Sequence, residues 1–180
     1  MELLKITEAD LEMIMHWRML PEVTRYMYTD PILTIEDQKH WLNWINTNPS
    51  VRYWILQVEG EKIGVINLYD IDLKNRRCLW GHYIGNVAYR GKGIAKTIEC
   101  NIYDFVFDVL QFNKVGCEIM AFNENAIALH QKLGSEIEAT FKEHICKGGE
   151  FYDVVFVGIT RSKWQSIKGQ YNYEKIFIES

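Results

Sequence analysis

The spacing of apolar residues in the N-terminal part of the chain predicts two helices followed by a hairpin. At the start of each helical stretch a threonine is followed by acidic residues, the pattern typical of a helix N-terminus. Trp41 and Trp44 are expected to face inward from the second helix. The β-branched and aromatic runs that follow are typical of strands. The predicted elements are a helix over 7–20, a helix from Thr34, and strands over 53–59 and 62–69 joined at Gly60.

The rest of the chain alternates between strand and helix patterns, which predicts an α/β domain with helices packed on a sheet. Residues after Arg161 are polar with scattered aromatic side chains. We expect them to form a tail that docks on the body of the protein or on a neighbouring subunit. The predicted elements are a strand over 78–85, a helix over about 93–110, a strand over 115–122, a helix over 125–133, and strands over 137–144 and 151–160.

Composition narrows the class of protein. The chain has 180 residues, 48% hydrophobic and 24% charged, which fits one globular domain over residues 1–180. The formal net charge of −4 argues against the basic surface that nucleic-acid binding needs. No run approaches the roughly 20 apolar residues of a membrane-spanning helix. The first residues show no basic stretch before an apolar one, so we expect a cytoplasmic protein without a signal peptide.

The cysteines and histidines predict neither disulfide bridges nor a metal site. Cys78, Cys100, Cys117 and Cys146 lie far apart in apolar segments, and no pair has the CxxC spacing. We therefore expect buried, reduced thiols. The histidines lack the spacing of metal ligands, so no metal is expected.

The segment Tyr89-Arg90-Gly91-Lys92-Gly93-Ile94-Ala95, here called the glycine loop, carries the clearest functional signal. It follows a predicted strand and opens a predicted helix, so successive backbone N–H groups converge near the positive end of the helix dipole, an arrangement that binds phosphate. The glycines allow positive φ, and the basic residues add charge. The spacing is neither that of a Walker loop nor that of a dinucleotide fingerprint, and a charged turn at a helix start would give the same residues.

Two motifs resemble the GNAT family of N-acetyltransferases. Arg90, Gly93 and Ala95 fit that family's Arg-x-x-Gly-x-Ala acetyl-CoA loop, and residues 123–134 are similar to its Asn-x6-Tyr-x-Lys-x-Gly-Phe segment. The resemblance covers about residues 3–160. It implies the GNAT fold, a central mixed, mainly antiparallel sheet with helices on both faces, and acetyl-CoA as the co-substrate. The residues that it assigns to acetyl-CoA are Ile84, Gly85, Arg90, Gly91, Lys92, Gly93, Ile94, Ala95, Asn123, Asn125 and Lys132.

The N-terminal segment resembles two branches of the family, the ribosomal-protein N-terminal acetyltransferases and the flagellin-sugar acetyltransferases of pseudaminic acid biosynthesis. Residues 16–23 carry this resemblance, and Tyr83 and residues 150–154 make the sugar enzymes the more similar. The resemblance implies a small-molecule acceptor, the 4-amino group of a UDP-4-amino-4,6-dideoxy-N-acetyl-altrosamine-type nucleotide sugar. The residues implied for its site are Arg18, Met27, Tyr28, Trp41 and Tyr83. Met27 and Trp41 would also suit a core, and Arg18 would also pair with Glu22.

The resemblance further implies direct attack of the amine on the thioester in a ternary complex. Glu118 is the candidate base, because a carboxylate buried in a strand binds its proton more tightly; a carboxylate paired at a sheet edge would look the same. His130 stands where the family has a tyrosine that protonates the departing sulfur, and an imidazole there either donates that proton or merely packs. Backbone N–H groups near Ile84 and Gly85 are implied to polarise the carbonyl.

Other functions stay open at this point. A protein N-terminal or polyamine N-acetyltransferase would carry the same loop, and the net charge of −4 suits a basic acceptor. The non-enzyme alternative is a module that binds acetyl-CoA without turnover, which the missing tyrosine keeps open. A homodimer is also left open.

Overall fold

The computed structural model describes residues 1–179, and these form two compact units. Unit one comprises Met1–Tyr69, Gly81–Lys92 and the residues from Ile176 on. Unit two comprises Asp70–Trp80 and Gly93–Lys175. The helices are α1 Leu11–Met19, α2 Pro21–Thr24, α3 Ile35–Thr47, α4 Ile94–Asp104, α5 Glu124–Lys132 and α6 Arg161–Ile167. The strands are β1 Glu2–Lys5, β2 Arg52–Val58, β3 Glu61–Asp72, β4 Arg77–Ile84, β5 Lys114–Met120, β6 Glu136–Lys147, β7 Glu150–Thr160 and β8 Phe177–Ile178.

The strand pairing within each unit is mainly antiparallel. In unit one β2 pairs antiparallel with both β1 and β3, and β8 adds a short parallel pairing to β1. In unit two β7 pairs antiparallel with both β5 and β6. The start of β4 is parallel to β5, with Leu79 opposite Gly116 at the end of the pairing. The expected mixed, mainly antiparallel α/β fold is confirmed.

Unit one has its own apolar core. The inward stripes of α1 and α3 supply Leu11, Ile14, Leu42 and Ile45, which pack with strand residues such as Ile55. Thr34 forms a capping box with Asp37 at the start of α3, so the predicted start of that helix is confirmed. Thr7 forms a capping box with Asp10, but α1 begins only at Leu11, four residues after the threonine. A 3-10 turn, Glu8–Asp10, precedes α1.

Unit two is built around aromatic side chains. The Tyr103 ring lies 6.4 Å from that of Trp80, 6.2 Å from that of Phe107 and 5.2 Å from that of Trp164, measured between centroids. Two of these contacts are edge-on, the geometry that aromatic quadrupoles favour. The helix predicted over 93–110 is α4 continued by one π-helical segment, Phe105–Val109. This core holds α4 against the rest of unit two.

The segment after Arg161 is more ordered than a polar tail. It forms α6, and Trp164 is fully buried with its indole Nε1 donating to Asp104 Oδ1 at 3.0 Å. The Tyr173 hydroxyl donates to the other oxygen of Asp104 at 2.6 Å. The segment therefore docks on unit two itself, because one carboxylate at the end of α4 collects several of its donors.

One strand was missed and two expectations were wrong. The first strand, β1, was not predicted, because four residues are too few to show a period. Trp44 is largely exposed rather than inward. Cys146 is exposed on β6, whereas the other three cysteines are buried thiols as expected.

Candidate functional site

The glycine loop leads from unit one into helix α4 and gives that helix an uncapped N-terminus. Gly91 and Gly93 have φ of 74° and 76°, left-handed values that favour glycine. Gly93 is the N-cap residue of α4, no side chain of the described residues caps the helix, and its first turn contains no acidic residue. The first N–H groups of α4 therefore suit an anion, since a helix N-terminus is electropositive.

Arg90 is used differently from what its charge suggested. Its Nε and Nη2 atoms donate to the Ile84 carbonyl at 3.0 and 2.8 Å. The guanidinium therefore ties the start of the glycine loop to the end of β4. The Lys92 ammonium lies 4.7 Å from the centroid of the Tyr89 ring, a cation–π contact that leaves it at the surface.

Gly85 is required by packing in unit one. A Cβ atom at this position would lie 2.1 Å from Cγ of Trp17. Its backbone N–H donates to the Ile63 carbonyl at 2.8 Å, so the expected use of this N–H to polarise a carbonyl is not supported. A role for the Ile84 N–H stays a prediction.

Arg18 stands among aromatic rings in unit one. Its Nη2 donates to the Thr29 hydroxyl at 2.8 Å, and both Nη atoms donate to the Thr29 carbonyl at 3.3 Å. The sequence also allowed a pairing of Arg18 with Glu22, whereas the structure shows these bonds to Thr29. Burial lowers the pKa of Arg18, while Tyr83, Asp30 and Tyr53 act in the opposite direction. The guanidinium remains charged at any physiological pH.

The other predicted acceptor residues also lie in unit one. Trp41 packs edge-on against Tyr53 with ring centroids 5.3 Å apart, and both contact the unit-one core together with Tyr83. Burial raises the pKa of Tyr83 far above that of an ordinary phenol. Met27 and Tyr28 follow α2 and are half-buried. Unit one thus brings a cation and several aromatic side chains together.

His130 is buried in unit two and bonded to a residue that the sequence did not single out. Its Nδ1 lies 2.8 Å from Oε1 of Glu99, and the two side chains are 5% and 0% exposed. The Tyr103 hydroxyl donates to the same oxygen and lies 2.8 Å from the Ser135 hydroxyl. We call Glu99, Tyr103, His130 and Ser135 the buried polar network.

The network changes the acidity of His130. Burial by itself lowers the pKa of the imidazole, but hydrogen bonds to Cys117 and Glu99 and the negative charge of Glu99 outweigh it and raise the pKa to about 10. Burial and Glu99 also raise the pKa of Tyr103 well above its ordinary value. His130 is therefore a cation, and Tyr103 a neutral donor, at physiological pH.

The remaining predicted residues of unit two lie on strand β5 and at helix α5. Glu118 is half-buried on β5, opposite Phe156 of β7, so the burial expected of it is only partial. Asn123 is the N-cap residue of α5, and Asn125 and Lys132 are exposed on that helix.

Among residues 1–179 no helix is long and apolar enough to span a membrane. The same residues contain no group of three or more His, Cys, Asp or Glu side chains that would hold a metal ion.

Comparison with known proteins decides the family. A profile of the acetyltransferase (GNAT) domain matches residues 1–136. The chain belongs to the GNAT acetyltransferase family. This GNAT chain is 29% identical over 130 residues to the SPbeta prophage-derived uncharacterized N-acetyltransferase YokL of Bacillus subtilis (strain 168), with 72% of each chain covered.

The chain is also similar to two acetyltransferases whose names differ from each other. The chain is 25% identical over 144 residues to acetyltransferase PseH of Campylobacter jejuni, covering 79% of this chain and 88% of that one. A crystal structure of spermidine N-acetyltransferase from Vibrio cholerae in complex with CoA and spermine matches with a TM-score of 0.84 at 21% identity, over 91% of this chain and 96% of that one. This GNAT protein is thus an N-acetyltransferase that uses acetyl-CoA, and the expected GNAT fold is confirmed.

Sequence reasoning missed two members of the buried polar network. Glu99 and Tyr103 were not considered, although they are one helical turn apart in α4, and Ser135 was noted only as a replacement of the family's phenylalanine. The available signal was a carboxylate between Ile98 and Cys100, in a helix whose neighbouring positions are apolar. A charge at such a position predicts a buried partner.

Proposed function

We propose that this GNAT enzyme acetylates the 4-amino group of a UDP-4-amino-4,6-dideoxy sugar of the kind used in pseudaminic acid biosynthesis, within a single N-acetyltransferase domain. One observation carries the proposal: the half-buried Arg18 guanidinium stands among the aromatic side chains Tyr53 and Tyr83. A guanidinium binds a diphosphate through charge-assisted hydrogen bonds, and aromatic rings stack on a nucleobase. The same guanidinium repels a polyamine cation.

The glycine loop supports the assignment of acetyl-CoA to α4. We assign the diphosphate of acetyl-CoA to the backbone N–H groups of Gly91, Gly93 and Ala95, because the N-terminus of α4 has neither a side-chain cap nor an acidic residue in its first turn. Arg90 acts by holding the loop to β4. The Ile84 N–H, Lys92, Ile94, Asn123, Asn125 and Lys132 are proposed as further contacts.

The acetyl transfer needs one residue to accept a proton and another to donate one, and we assign both roles to residues of unit two. In direct transfer within a ternary complex, the amine nitrogen loses a proton as it forms the amide, and the sulfur gains one as the thioester bond breaks. Glu118 accepts the first proton, directly or through water, and His130 donates the second. Acetyl-CoA supplies the activated acetyl group, so no acetyl-enzyme is needed.

The acceptor is tested with a panel of amines in a thiol-release assay: the UDP-4-amino sugar, spermidine, and a peptide with a free N-terminus. We expect the nucleotide sugar to give the highest kcat/KM. Arg18→Gln should raise the KM for it at least about tenfold, since a hydrogen bond to a charged group contributes roughly 1.5–3 kcal/mol. Arg25→Gln, at an exposed arginine of the same unit, is the matched control.

A polyamine is the second candidate acceptor. The net charge of −4 favours a cationic substrate, and the spermidine enzyme of Vibrio cholerae shares the fold. A higher kcat/KM for spermidine, improved further by Arg18→Gln, would overturn the nucleotide-sugar proposal. Release of no thiol with any acceptor, despite binding of acetyl-CoA, would favour a binding module.

A further inference from the structure

The buried polar network places an acidic group in the core of unit two with little to offset it. Glu99 is 0% exposed, and its Oε2 atom has no hydrogen-bond partner within the described residues. Both donors, Tyr103 and His130, reach the other oxygen, Oε1. A buried carboxylate with one empty oxygen is costly unless a cation lies beside it.

The geometry of the network determines which hydroxyl donates each hydrogen bond. Tyr103 donates its proton to Glu99, so the Tyr103 oxygen accepts from the Ser135 hydroxyl. The serine stands where the family pattern has phenylalanine, and His130 where it has tyrosine. Ser135 puts a hydroxyl next to Tyr103, and His130 puts an imidazole next to Glu99, so the two departures are physically coupled through one network.

His130 supplies the cation. The groups that face it are Glu99 and Tyr103 from α4, Cys117 from β5, and the Trp80 ring of β4 at 5.5 Å between centroids. None of the other groups carries a positive charge, so one carboxylate is balanced by one imidazolium.

The two ring nitrogens of His130 have different roles. Nδ1 bonds to Glu99, which leaves the Nε2–H as the second donor of the imidazolium. The Nε2–H is therefore the proton that His130 can give up while its bond to Glu99 stays intact.

We propose that Glu99 is a positioning residue: it holds His130 doubly protonated through the Nδ1–H bond, so that the Nε2–H is the proton donor to the departing sulfur. The inference rests on the proposed function and deepens it. In the step, the Nε2–H bond breaks, an S–H bond forms, and His130 becomes neutral beside an unchanged Glu99 carboxylate. The proton is restored from the base that deprotonated the amine, or from solvent.

The protonation state is measured on the whole protein without substrate, by NMR of the imidazole nitrogens in ¹⁵N-labelled protein. His130 should carry protons on both nitrogens at pH 8, where an ordinary imidazole of pKa about 6.5 is neutral. A neutral His130 in the wild-type protein at pH 8 overturns the proposal. This readout needs no acceptor and is independent of the substrate assignment.

Glu99→Gln keeps the shape of the side chain and its acceptor oxygen but removes the charge. His130 should then lose its second proton at pH 8, and kcat should fall by a factor on the order of a hundred, as expected for loss of a general acid. The KM for acetyl-CoA should change little. Tyr103→Phe, which removes the other hydrogen bond to Glu99 but not its charge, is the matched control and should leave His130 doubly protonated.

The outcomes separate the two proposals. If His130 stays doubly protonated in Glu99→Gln, or if that variant keeps full kcat, Glu99 does not position a proton donor. If the wild-type spectrum is as expected but no amine in the panel is acetylated, the protonated pair stands and the proposed function fails. If Glu99→Gln does not fold, the wild-type spectrum decides the protonation state, and the fall of kcat above about pH 10 decides the donor role.

Discussion

Gly85 shows that a residue close to the glycine loop in sequence can be required by packing alone. The Trp17 ring of α1 occupies the space where its Cβ would stand, and its N–H is already bonded to Ile63. Its identity follows from the close approach of a large ring to the backbone, in contrast to the positive φ that explains Gly91 and Gly93.

Gly85→Ala should destabilise the protein by about 1–3 kcal/mol or more, because the Trp17 ring must shift to admit a methyl group. Gly169→Ala is the matched control, since nothing lies within 4 Å of its Cβ position. The control should change the free energy of unfolding by less than about 0.5 kcal/mol. Urea denaturation of both variants makes the comparison, and equal stabilities would contradict the packing argument.

His130 makes stability depend on pH in a defined direction. Its pKa of about 10 in the folded protein is above the model-peptide value of 6.5, so the folded state holds a proton that the unfolded state releases. This stabilisation is complete below pH 6.5 and is lost as the pH rises toward 10. The free energy of unfolding should therefore fall by about 1–2 kcal/mol between pH 7 and 8.5.

His130→Phe should remove that fall. The measurement is kept below pH 9, because burial raises the pKa of Cys100 to about 12 and this thiol adds its own loss of stability at higher pH. Denaturation of wild type and variant at several pH values gives the two slopes. An unchanged slope in His130→Phe would show that the imidazole is not the titrating group.

At the scale of elements, helix α4 contributes both to the proposed acetyl-CoA site and to the buried polar network. Its first turn offers uncapped N–H groups, and one face further along carries Glu99 and Tyr103 into the core of unit two. The segment after Arg161 is bound to the last residue of the same helix through Asp104. Aromatic packing around Tyr103 fixes α4 in unit two, so its N-terminus is presented on a rigid element.

Arg90→Gln should raise the Kd for CoA by about tenfold or more, because the loop loses two charge-assisted hydrogen bonds to the Ile84 carbonyl. The free energy of unfolding should change less than the binding free energy, since Gly91, Lys92 and Gly93 of the loop are exposed. Arg25→Gln is the control. Equal Kd values for the two variants, measured by calorimetry, would mean that Arg90 does not hold the loop.

At the scale of the whole molecule, the order of elements was predictable because each long strand and helix carries its own period. The glycine loop was predictable for the same reason, since its glycines and charges are consecutive in sequence. The local sequence pattern does not predict which residues form hydrogen bonds with residues distant in the chain. His130 and Glu99 are 31 residues apart, and Trp164 and Asp104 are 60 apart.

Residue type alone does not say how a side chain is used. The charge of Arg90 suggested a phosphate ligand, and the structure shows its guanidinium bonded to the Ile84 carbonyl of β4, which sequence could not indicate. The short hydrophobic stretch of β1 lacked the length that distinguishes a strand, and only its pairing with β2 reveals it. The aromatic residues after Arg161 did predict docking, but the polar composition of this segment hid the helix α6, in which Trp164 is fully buried.

The central claim is that the N-terminus of α4 binds the diphosphate of acetyl-CoA, and titration calorimetry with CoA tests it most directly. Wild-type protein should bind one CoA per chain. Ala95→Glu puts a negative charge in the first turn of α4 and should abolish binding of CoA. The fold should stay intact, because a carboxylate at a helix N-terminus interacts favourably with the helix dipole. Ala95→Gln is the neutral control. Absence of binding heat with the wild type, or equal affinity of the Glu and Gln variants, would contradict the account.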